Sequence, residues 1–143
     1  MARDIKKIDA KGRFFIPSKL KERFGGDVVV TNSLDKGYLS VYTAEAFKEV
    51  ERQLDELNSM DPNVRRIQRF IAGEALEVSV DSQGRLSVTS ELWERIDAKP
   101  GDEICVFDIL GKLNICTKAF YDNSDLGLDD IVGLDTKYYV KGL

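Results

Sequence analysis

Two arginines end the same five-residue pattern, Asp-x-x-Gly-Arg, and they are the side chains of this sequence best suited to bind an anionic or base ligand. The pattern occurs at residues 9–13, in "IDAKGRFFIPSKL", and again at residues 81–85, in "VDSQGRLSVTSEL". An Asp that begins a tight turn accepts backbone N–H groups, and a Gly at the fourth position supplies the dihedral angles at its exit. The predicted turn-forming residues are Asp9, Gly12, Asp81 and Gly84.

The arginines themselves, Arg13 and Arg85, each begin the strand that leaves the turn. Strand alternation leaves each Arg on the face opposite the core. A guanidinium held by a rigid turn can donate two N–H groups to a phosphate or to the O6 and N7 atoms of guanine. The alternative is a structural Arg that pairs with the Asp of its own or the partner motif. The same alternation predicts four core side chains, Phe14, Ile16, Leu86 and Val88.

Charge divides the two copies of the pattern, although the whole chain has a net charge of −4. Residues 1–24 carry eight Lys and Arg against three acidic residues, a net charge of +5, whereas residues 73–96 carry two against five, a net charge of −3. A local positive field attracts nucleic-acid phosphates. We therefore expect the first copy to dominate contact with DNA and the second to serve mainly in packing and assembly. The predicted phosphate-facing lysines are Lys6, Lys7, Lys11, Lys19 and Lys21.

The residue types argue against catalysis and against a metal centre. The chain has no histidine and two cysteines, so a zinc site and the Ser-His or Cys-His nucleophiles lack their usual components. Its 25 acidic residues are spread along the chain, and no carboxylate pair stands out for acid–base chemistry. We expect no enzymatic activity, no cofactor and no metal.

Hydropathy predicts no membrane partner. No apolar run approaches the roughly 20 residues needed to cross a bilayer, and the basic start "MARDIKKIDAKG" is not followed by the apolar region of a secretion signal. We expect a cytoplasmic protein, associated with the nucleoid if it binds DNA.

An internal repeat extends beyond the two turns. Each turn and strand is followed by a short helical stretch, "SKLKERF" or "SELWERI", and then by a strand-rich hairpin at residues 27–43 or 102–117. Agreement of turn, strand, helix and hairpin in order indicates a duplication. The predicted divisions are a first repeat at 1–50, a helical connector at 51–73, a second repeat at 74–121 and an acidic tail at 122–143.

The connector region contains two predicted helices. Thr43 is placed to cap the first, and Asp61 followed by Pro62 begins the second, which ends at Gly73. The first is acidic on its exposed face and the second is basic, which fits either solvated helices or contact between subunits. The predicted buried stripe of the first helix is Phe47, Val50, Leu54 and Leu57.

Two further features concern the end of the chain. In the second hairpin we predict a three-residue loop at 109–111 that places Cys105 opposite Ile115 in the core and turns Cys116 to the other face. The cysteines are then one core thiol and one surface thiol, not a disulfide. The tail is too apolar for a disordered segment and is expected to dock partly on a neighbouring surface. Its apolar residues are Ile131, Val132, Leu134, Tyr138, Tyr139 and Val140.

The paired motifs resemble those of the MraZ family, transcriptional regulators of the bacterial division and cell wall gene cluster, within the wider AbrB/SpoVT swapped-hairpin class. The resemblance rests on "IDAKGRFFIPSKL" and "EALEVSVDSQGRLSVTSEL", covers roughly residues 5 to 121 and includes "RRIQRFIAGEALEV". Two departures from the family pattern are the lead-in "MARDIKK", which replaces an aromatic and histidine-bearing segment, and Thr89 at the position of Pro17. Thr89 can cap the helix that follows it.

The resemblance implies an α+β, strand-rich fold in which two tandem swapped-hairpin units form a pseudo-dimeric barrel with short helices between and after the strands. It also implies a ring-shaped homo-oligomer that binds repeated promoter sites on double-stranded DNA through the Arg of the motif, most simply as a repressor. Matched residue by residue, the motif positions are Asp9, Gly12 and Arg13 and then Asp81, Gly84 and Arg85. An oligomeric scaffold of the same fold without DNA binding, and an antitoxin-like regulator, are the alternatives.

Overall fold

The chain, seen in a computed structural model that describes residues 3–124 and 131–142, alternates short strands with short helices. The described strands are β1 (Asp4–Lys7), β2 (Arg13–Phe15), β3 (Asp27–Asn32), β4 (Leu39–Thr43), β5 (Leu76–Ser79), β6 (Arg85–Ser87), β7 (Glu103–Ile109) and β8 (Lys112–Thr117). The described helices are α1 (Lys21–Phe24), α2 (Ala44–Asp55), α3 (Pro62–Gln68), α4 (Ser90–Arg95) and α5 (Lys118–Asn123). Single helical turns span Ser18–Leu20, Arg69–Gly73 and Leu134–Thr136. The predicted α+β, strand-rich class is confirmed.

The two copies exchange strands. Six strands form one antiparallel sheet, the main sheet, in the order β1-β7-β8-β4-β3-β5, and β2 pairs with β6 in a separate two-stranded ribbon. The opening strand of each copy thus pairs with the hairpin of the other copy, β1 with β7 and β5 with β3. At the centre of the main sheet β4 pairs with β8, with Ser40 opposite Asn114. The exchange follows the swapped arrangement that the resemblance implies.

Closure of the strands into a barrel is not confirmed. A barrel requires every strand to have a partner on both sides, and within the described residues β1 and β5 each pair on one side only. The ribbon is hydrogen-bonded as a sheet of its own. The molecule is therefore a main sheet with a ribbon packed on one face.

The principal core lies between the main sheet and the ribbon. Phe14 and Leu86 point inward from the ribbon, opposite one another, and Ile16 and Val88 are buried just beyond it. These four inward positions confirm the alternation predicted from the sequence. The sheet and the short helices complete the core with Val28, Val30, Leu39, Val41, Ile104, Val106, Leu113, Ile115, Leu20, Phe24, Leu92, Trp93 and Ile96.

A second, smaller cluster covers the opposite face of the main sheet. Val29, Phe47 and Ile71 are its buried residues, with Val50 and Leu54 of α2 partly buried against them. Leu57 was predicted to continue this stripe but is 44% exposed, because α2 ends at Asp55. Burial of these side chains places α2, and the helical turn that carries Ile71, on the face of the sheet away from the ribbon.

The predicted helix starts of the connector are confirmed. The Thr43 hydroxyl accepts from the N–H of Ala46 at 3.1 Å, and the Asp61 carboxylate accepts from the N–H of Asn63 at 2.8 Å. Each bond satisfies one of the N–H groups that a helix leaves without an internal partner. The charged residues of the two helices are exposed in the single chain, which agrees with both sequence interpretations of these faces.

The cysteine arrangement corrects the sequence prediction. The hairpin turns through two residues, Leu110 and Gly111, both with positive φ, so the register moves by one residue and Cys105 pairs with Cys116. A shift of one residue transfers alternate side chains of a strand to the other face. Both cysteines are fully buried and neither forms a disulfide, so the predicted surface thiol is wrong and the predicted absence of a bridge is right.

Residues 122–124 and 131–142 of the predicted tail add no side chain to either of these cores. Residues 125–130 and 143 of the predicted tail lie outside the described residues. The six apolar side chains expected to dock are all exposed in the single chain: Ile131, Val132, Leu134, Tyr138, Tyr139 and Val140. Across residues 3–124 and 131–142, none of the helices has both the length and the apolar character needed to span a bilayer.

Candidate nucleic-acid interface

The first turn (residues 9–13) is built around its Asp. The Asp9 carboxylate accepts from the backbone N–H groups of Lys11 and Arg13, both at 2.9 Å, and from Nε of Arg13 at 2.7 Å. The N–H of Gly12 closes the turn on the carbonyl of Asp9 at 3.0 Å, and Gly12 has a φ of +80°, which L residues with a Cβ rarely adopt. The turn-forming roles predicted for Asp9 and Gly12 agree with this geometry.

The second turn (residues 81–85) repeats these contacts. Asp81 accepts from the N–H of Gln83 at 3.0 Å, from the N–H of Arg85 at 2.8 Å and from Nε of Arg85 at 2.8 Å. Gly84 has a φ of +82°. The two turns are therefore equivalent in their internal bonding despite the opposite charge of the two sequence copies.

The Asp–Arg pair lowers the pKa of each carboxylate and orients each guanidinium. The pKa values of Asp9 and Asp81 lie below their ordinary values, chiefly because the backbone N–H of the motif Arg donates to each carboxylate. Burial raises these pKa values, and the guanidinium lowers them further. Only Nε of each Arg is used: to the described residues, the terminal amino groups of Arg13 and Arg85 donate no hydrogen bond. Each Arg side chain is 22% exposed. Each Arg thus pairs with the Asp of its own motif, as the structural alternative predicted. Its two terminal amino groups are still available to bind a ligand.

The ribbon (Arg13–Phe15 with Arg85–Ser87) brings both arginines to one surface. Arg13 pairs with Ser87, and Phe15 pairs with Arg85. Because partners directly opposite share a face, these four side chains project together from the ribbon, away from inward-facing Phe14 and Leu86. We call them the outer face of the ribbon.

Each turn is anchored by the other copy. The N–H of Val88 donates to the carbonyl of Gly12 at 3.2 Å, and the N–H of Ile16 donates to the carbonyl of Gly84 at 2.9 Å. The carbonyl of Gly12 also accepts from the indole Nε1 of buried Trp93 at 3.0 Å. Strand exchange therefore makes each turn depend on residues about 70 positions away.

The position of Lys21 bears on the expectation that the basic first copy dominates contact with DNA. A Cβ on Gly84 would lie 2.7 Å from Cε and 3.0 Å from Nζ of Lys21, so this lysine of the first copy lies against the turn of the second. Lys21 and Trp93 occupy matching positions in "SKLKERF" and "SELWERI". The net charge of one sequence copy consequently does not give the charge around its own turn, because the adjacent helix comes from the other copy.

The remaining predicted lysines do not form one continuous field. Lys11 is exposed within the first turn, and Nζ of Lys19 lies 3.4 Å from the Asp4 carboxylate. Lys6 pairs with core-facing Ile104 and Lys7 with Glu103, so the two neighbours point to opposite faces of the main sheet. Lys7 lies on the face away from the ribbon, and the structure separates it from the other predicted lysines.

Three features of this surface were not predicted: the roles of Phe15 and Trp93, and the position of Lys21. Alternation from inward Phe14 and Ile16 was enough to place Phe15 outward beside Arg13. The contacts of Trp93 and Lys21 had no local signal, because they join residues from different copies.

The described residues include no cluster that could hold a metal ion, and both cysteine thiols are buried. Within residues 3–124 and 131–142, no group of three His, Cys, Asp or Glu side chains could hold a metal ion. Burial raises the pKa values of both thiols, that of Cys116 to about 11, so the buried cysteines are protonated near neutral pH.

The fold and the paired turns define a class of protein in which two tandem copies of one strand–helix–hairpin unit exchange strands and present two Asp-held arginines on a shared ribbon. A family model described as "MraZ protein, putative antitoxin-like" matches residues 4–70. The "Transcriptional regulator MraZ" of Thermoanaerobacter sp. (strain X514) is 32% identical over 128 residues, 87% of each chain. The protein of the same name from Pediococcus pentosaceus is 32% identical over 82% of this chain and 80% of its own. The one from Ligilactobacillus salivarius is 33% identical over 87% of each chain. The chain belongs to the MraZ family, which confirms the resemblance found in the sequence.

Proposed function

We propose that the protein is a transcription regulator that binds double-stranded DNA by laying its ribbon in the major groove. The observation that carries the proposal is the outer face of the ribbon, where Asp9 and Asp81 hold two arginines by Nε alone. The major groove admits a two-stranded ribbon, and an Arg can donate two hydrogen bonds to O6 and N7 of guanine. The relatives named as transcriptional regulators support the same function.

Phosphate contacts complete this interface at both turns. Lys11 lies in the first turn and Lys21 beside the second, so a lysine is present at each turn. Lys6 and Lys19 flank the ribbon side of the main sheet, where Lys19 is partly neutralised by Asp4. Such contacts fix register on the duplex without carrying sequence information. Lys7 has no part in this interface because its side chain points to the other face of the sheet.

The finer regulatory role is that of a repressor of the division and cell wall gene cluster, acting at short repeated promoter sites. Membership of the MraZ family and the doubled motif support this role. The two exchanged copies act as a pseudo-dimer, in which the main sheet and the ribbon enclose one shared core. Copies assembled in a ring gain affinity for repeated sites because each further contact is intramolecular.

The test measures binding to the DNA upstream of the protein's own gene, by fluorescence anisotropy at several salt concentrations. We expect salt-sensitive binding that prefers repeated sites. Arg13→Ala and Arg85→Ala should each cost about 1 to 3 kcal/mol if the Arg reads a base, or lower the log–log salt slope by about 1 if it contacts a phosphate. A larger loss for Arg85→Ala contradicts the sequence prediction that the first copy dominates.

The matched control is Arg66→Ala. Arg66 is exposed on α3 and donates to the Asn63 side chain, so its removal deletes the same charge at a site away from the ribbon. Circular dichroism and light scattering show whether each variant stays folded and assembled. Equal loss of affinity in Arg66→Ala and Arg13→Ala contradicts a localised interface at the ribbon.

A protein-binding scaffold is the second candidate, favoured by the net charge of −4 and by the exposed acidic face of α2. An acidic helix beside a basic one is suited to contact between subunits or with another protein. The same titration separates the two functions, since a scaffold binds no DNA even at low salt.

A further inference from the structure

The outer face of the ribbon is chemically unequal at its two ends. Arg13 lies opposite the small, polar Ser87, whereas Arg85 lies opposite Phe15. Phe15 and Ser87 occupy equivalent positions in the two copies, each two residues after the motif Arg. The two-fold arrangement therefore places an aromatic ring beside one arginine and a hydroxyl beside the other.

Core packing does not account for Phe15. Its neighbours Phe14 and Ile16 are each 1% exposed, but the Phe15 side chain points the other way and is 48% exposed. Within residues 3–124 and 131–142, none of the aromatic pairs or cation–π contacts involves its ring. A large apolar side chain on the surface that carries both arginines is thus available to a ligand.

In the major groove, the apolar feature of a base pair is the C5-methyl group of thymine, and Phe is one of the side chains that contacts it. Cross-strand partners on one face have Cβ atoms about 4.5 to 5.5 Å apart, which exceeds the spacing of about 3.4 Å between successive bases. With the strand-to-strand direction of the ribbon running along the groove, a ring opposite Arg85 is displaced by at least one base step and faces a base pair adjacent to the one that Arg85 contacts.

We propose that Phe15 is a specificity-determining residue that packs on the methyl group of a thymine next to the base pair read by Arg85. This inference rests on the proposed binding of the ribbon to DNA. Ser87 gives the Arg13 end no equivalent contact. One chain consequently reads two similar half-sites, of which only the half at Arg85 requires the thymine methyl group.

The experiment begins with duplexes that the wild-type protein selects from a random double-stranded library. Each thymine of a selected duplex is then replaced singly by deoxyuridine, which removes the methyl group and keeps the base pairing. Affinity is measured by fluorescence anisotropy at fixed salt. We expect one thymine in one half-site to show a loss of about fourfold, as for the removal of one buried CH₂-sized group, and thymines outside the half-sites to show none.

Two variants assign that loss to Phe15. Phe15→Ser should bind thymine and deoxyuridine duplexes equally at that position. Ser87→Phe should create a second, symmetry-related position with methyl dependence. Both changes are at exposed sites, and circular dichroism checks that each variant is folded.

The outcomes separate this inference from the function on which it rests. If no duplex is enriched by the wild-type protein, binding to DNA is itself wrong. If duplexes are enriched but no position depends on the methyl group, or Phe15→Ser keeps the wild-type dependence, the role of Phe15 is overturned and DNA binding stands. Dissociation of the Phe15→Ser assembly in light scattering, with methyl dependence unchanged, assigns Phe15 to contact with a second copy and also overturns the inference.

Discussion

The first turn and the second turn have the same internal bonds but are packed against different side chains. Within each turn one Asp accepts two backbone N–H groups and the Nε of Arg13 or Arg85, and corresponding distances differ by only about 0.1 Å. From outside, buried Trp93 donates to the first turn, whereas exposed Lys21 lies against the second. The Asp–Arg geometry is thus the same in both turns, whereas the side chain packed against the turn, and its charge, differ.

Strand exchange explains why the outer environments differ in this way. Each turn is packed against the helix of the other copy, so the basic first copy supplies Lys21 to the acidic second copy. The second copy returns an indole to the first turn. Divergence of one helix therefore alters the site that belongs to the other motif. We expect the two turns to differ in stability more than in contact with DNA.

The largest expected difference is between Trp93→Ala and Lys21→Ala. Trp93 is 2% exposed, packs edge-on against Phe14 with ring centroids 6.0 Å apart and donates to Gly12. Its truncation should lower the free energy of unfolding by about 3 to 5 kcal/mol, and that of exposed Lys21 by no more than about 0.5 kcal/mol. Urea titration measures both, and similar losses contradict the unequal support of the turns.

The next comparison is Gly12→Ala against Gly84→Ala. Both backbones lie in the left-handed region, which costs an Ala about 1 to 2 kcal/mol. At Gly12 the new Cβ also meets the backbone carbonyl oxygen of Val88 at 2.9 Å, whereas at Gly84 it meets the flexible end of Lys21. We expect Gly12→Ala to be the more destabilising by about 1 kcal/mol or more, in line with overpacking costs. A larger loss at Gly84 in the same urea titration contradicts this assignment.

Contact with DNA should be more evenly shared. Lys11→Gln and Lys21→Gln each remove one charge, at the first and second turn respectively, and each should lower the log–log salt slope by about 0.9. Lys7→Gln is the control, because Lys7 points away from the ribbon, and should leave the slope unchanged. Anisotropy at several salt concentrations checks all three. A salt slope that changes only for Lys11→Gln would show that the first copy dominates contact with DNA.

The smallest expected effect concerns acid, where the two turns should behave alike. The folded-state pKa values of Asp9 and Asp81 are lowered, mainly by the N–H groups of Arg13 and Arg85, so the unfolded chain binds these protons at higher pH. Their contribution to stability is present above the ordinary carboxyl pKa of about 3.9 and is lost as pH falls through the lowered values. Asp9→Asn and Asp81→Asn should each flatten the fall of stability below about pH 4 by a similar amount. Unequal flattening in urea titrations at pH 2 to 5 contradicts the equivalence of the turns.

Local features were readable from the sequence because their causes lie within a few residues. Asp9 bonds to N–H groups two and four residues away, and Thr43 and Asp61 cap helices through the third and second residue after them. Alternation along the three residues of β2 was enough to predict that Phe14 is buried. The family was identified from the resemblance of the paired motifs, and that resemblance implied the strand-rich class.

The errors arose where a small local choice has a distant consequence. Two residues rather than three at the tip of the second hairpin moved Cys105 from Ile115 to Cys116 and buried both thiols. Alternation alone already separates Lys6 from Lys7, but the pairing of β1 with β7 shows which of them lies on the ribbon side. The tip differs from the predicted loop by a single residue, and the partner of β1 is not encoded in the residues of β1.

The sequence by itself therefore determined two rigid Asp–Arg turns, since a carboxylate and the N–H groups of its own chain meet as soon as the turn forms. Only the tertiary structure decided what surrounds each turn. Strand exchange brought Trp93 to Gly12, Lys21 to Gly84 and Phe15 to Arg85, pairs that are 81, 63 and 70 positions apart in the sequence. These contacts depend on the burial of a shared core by both copies at once, and that is a property of the folded chain.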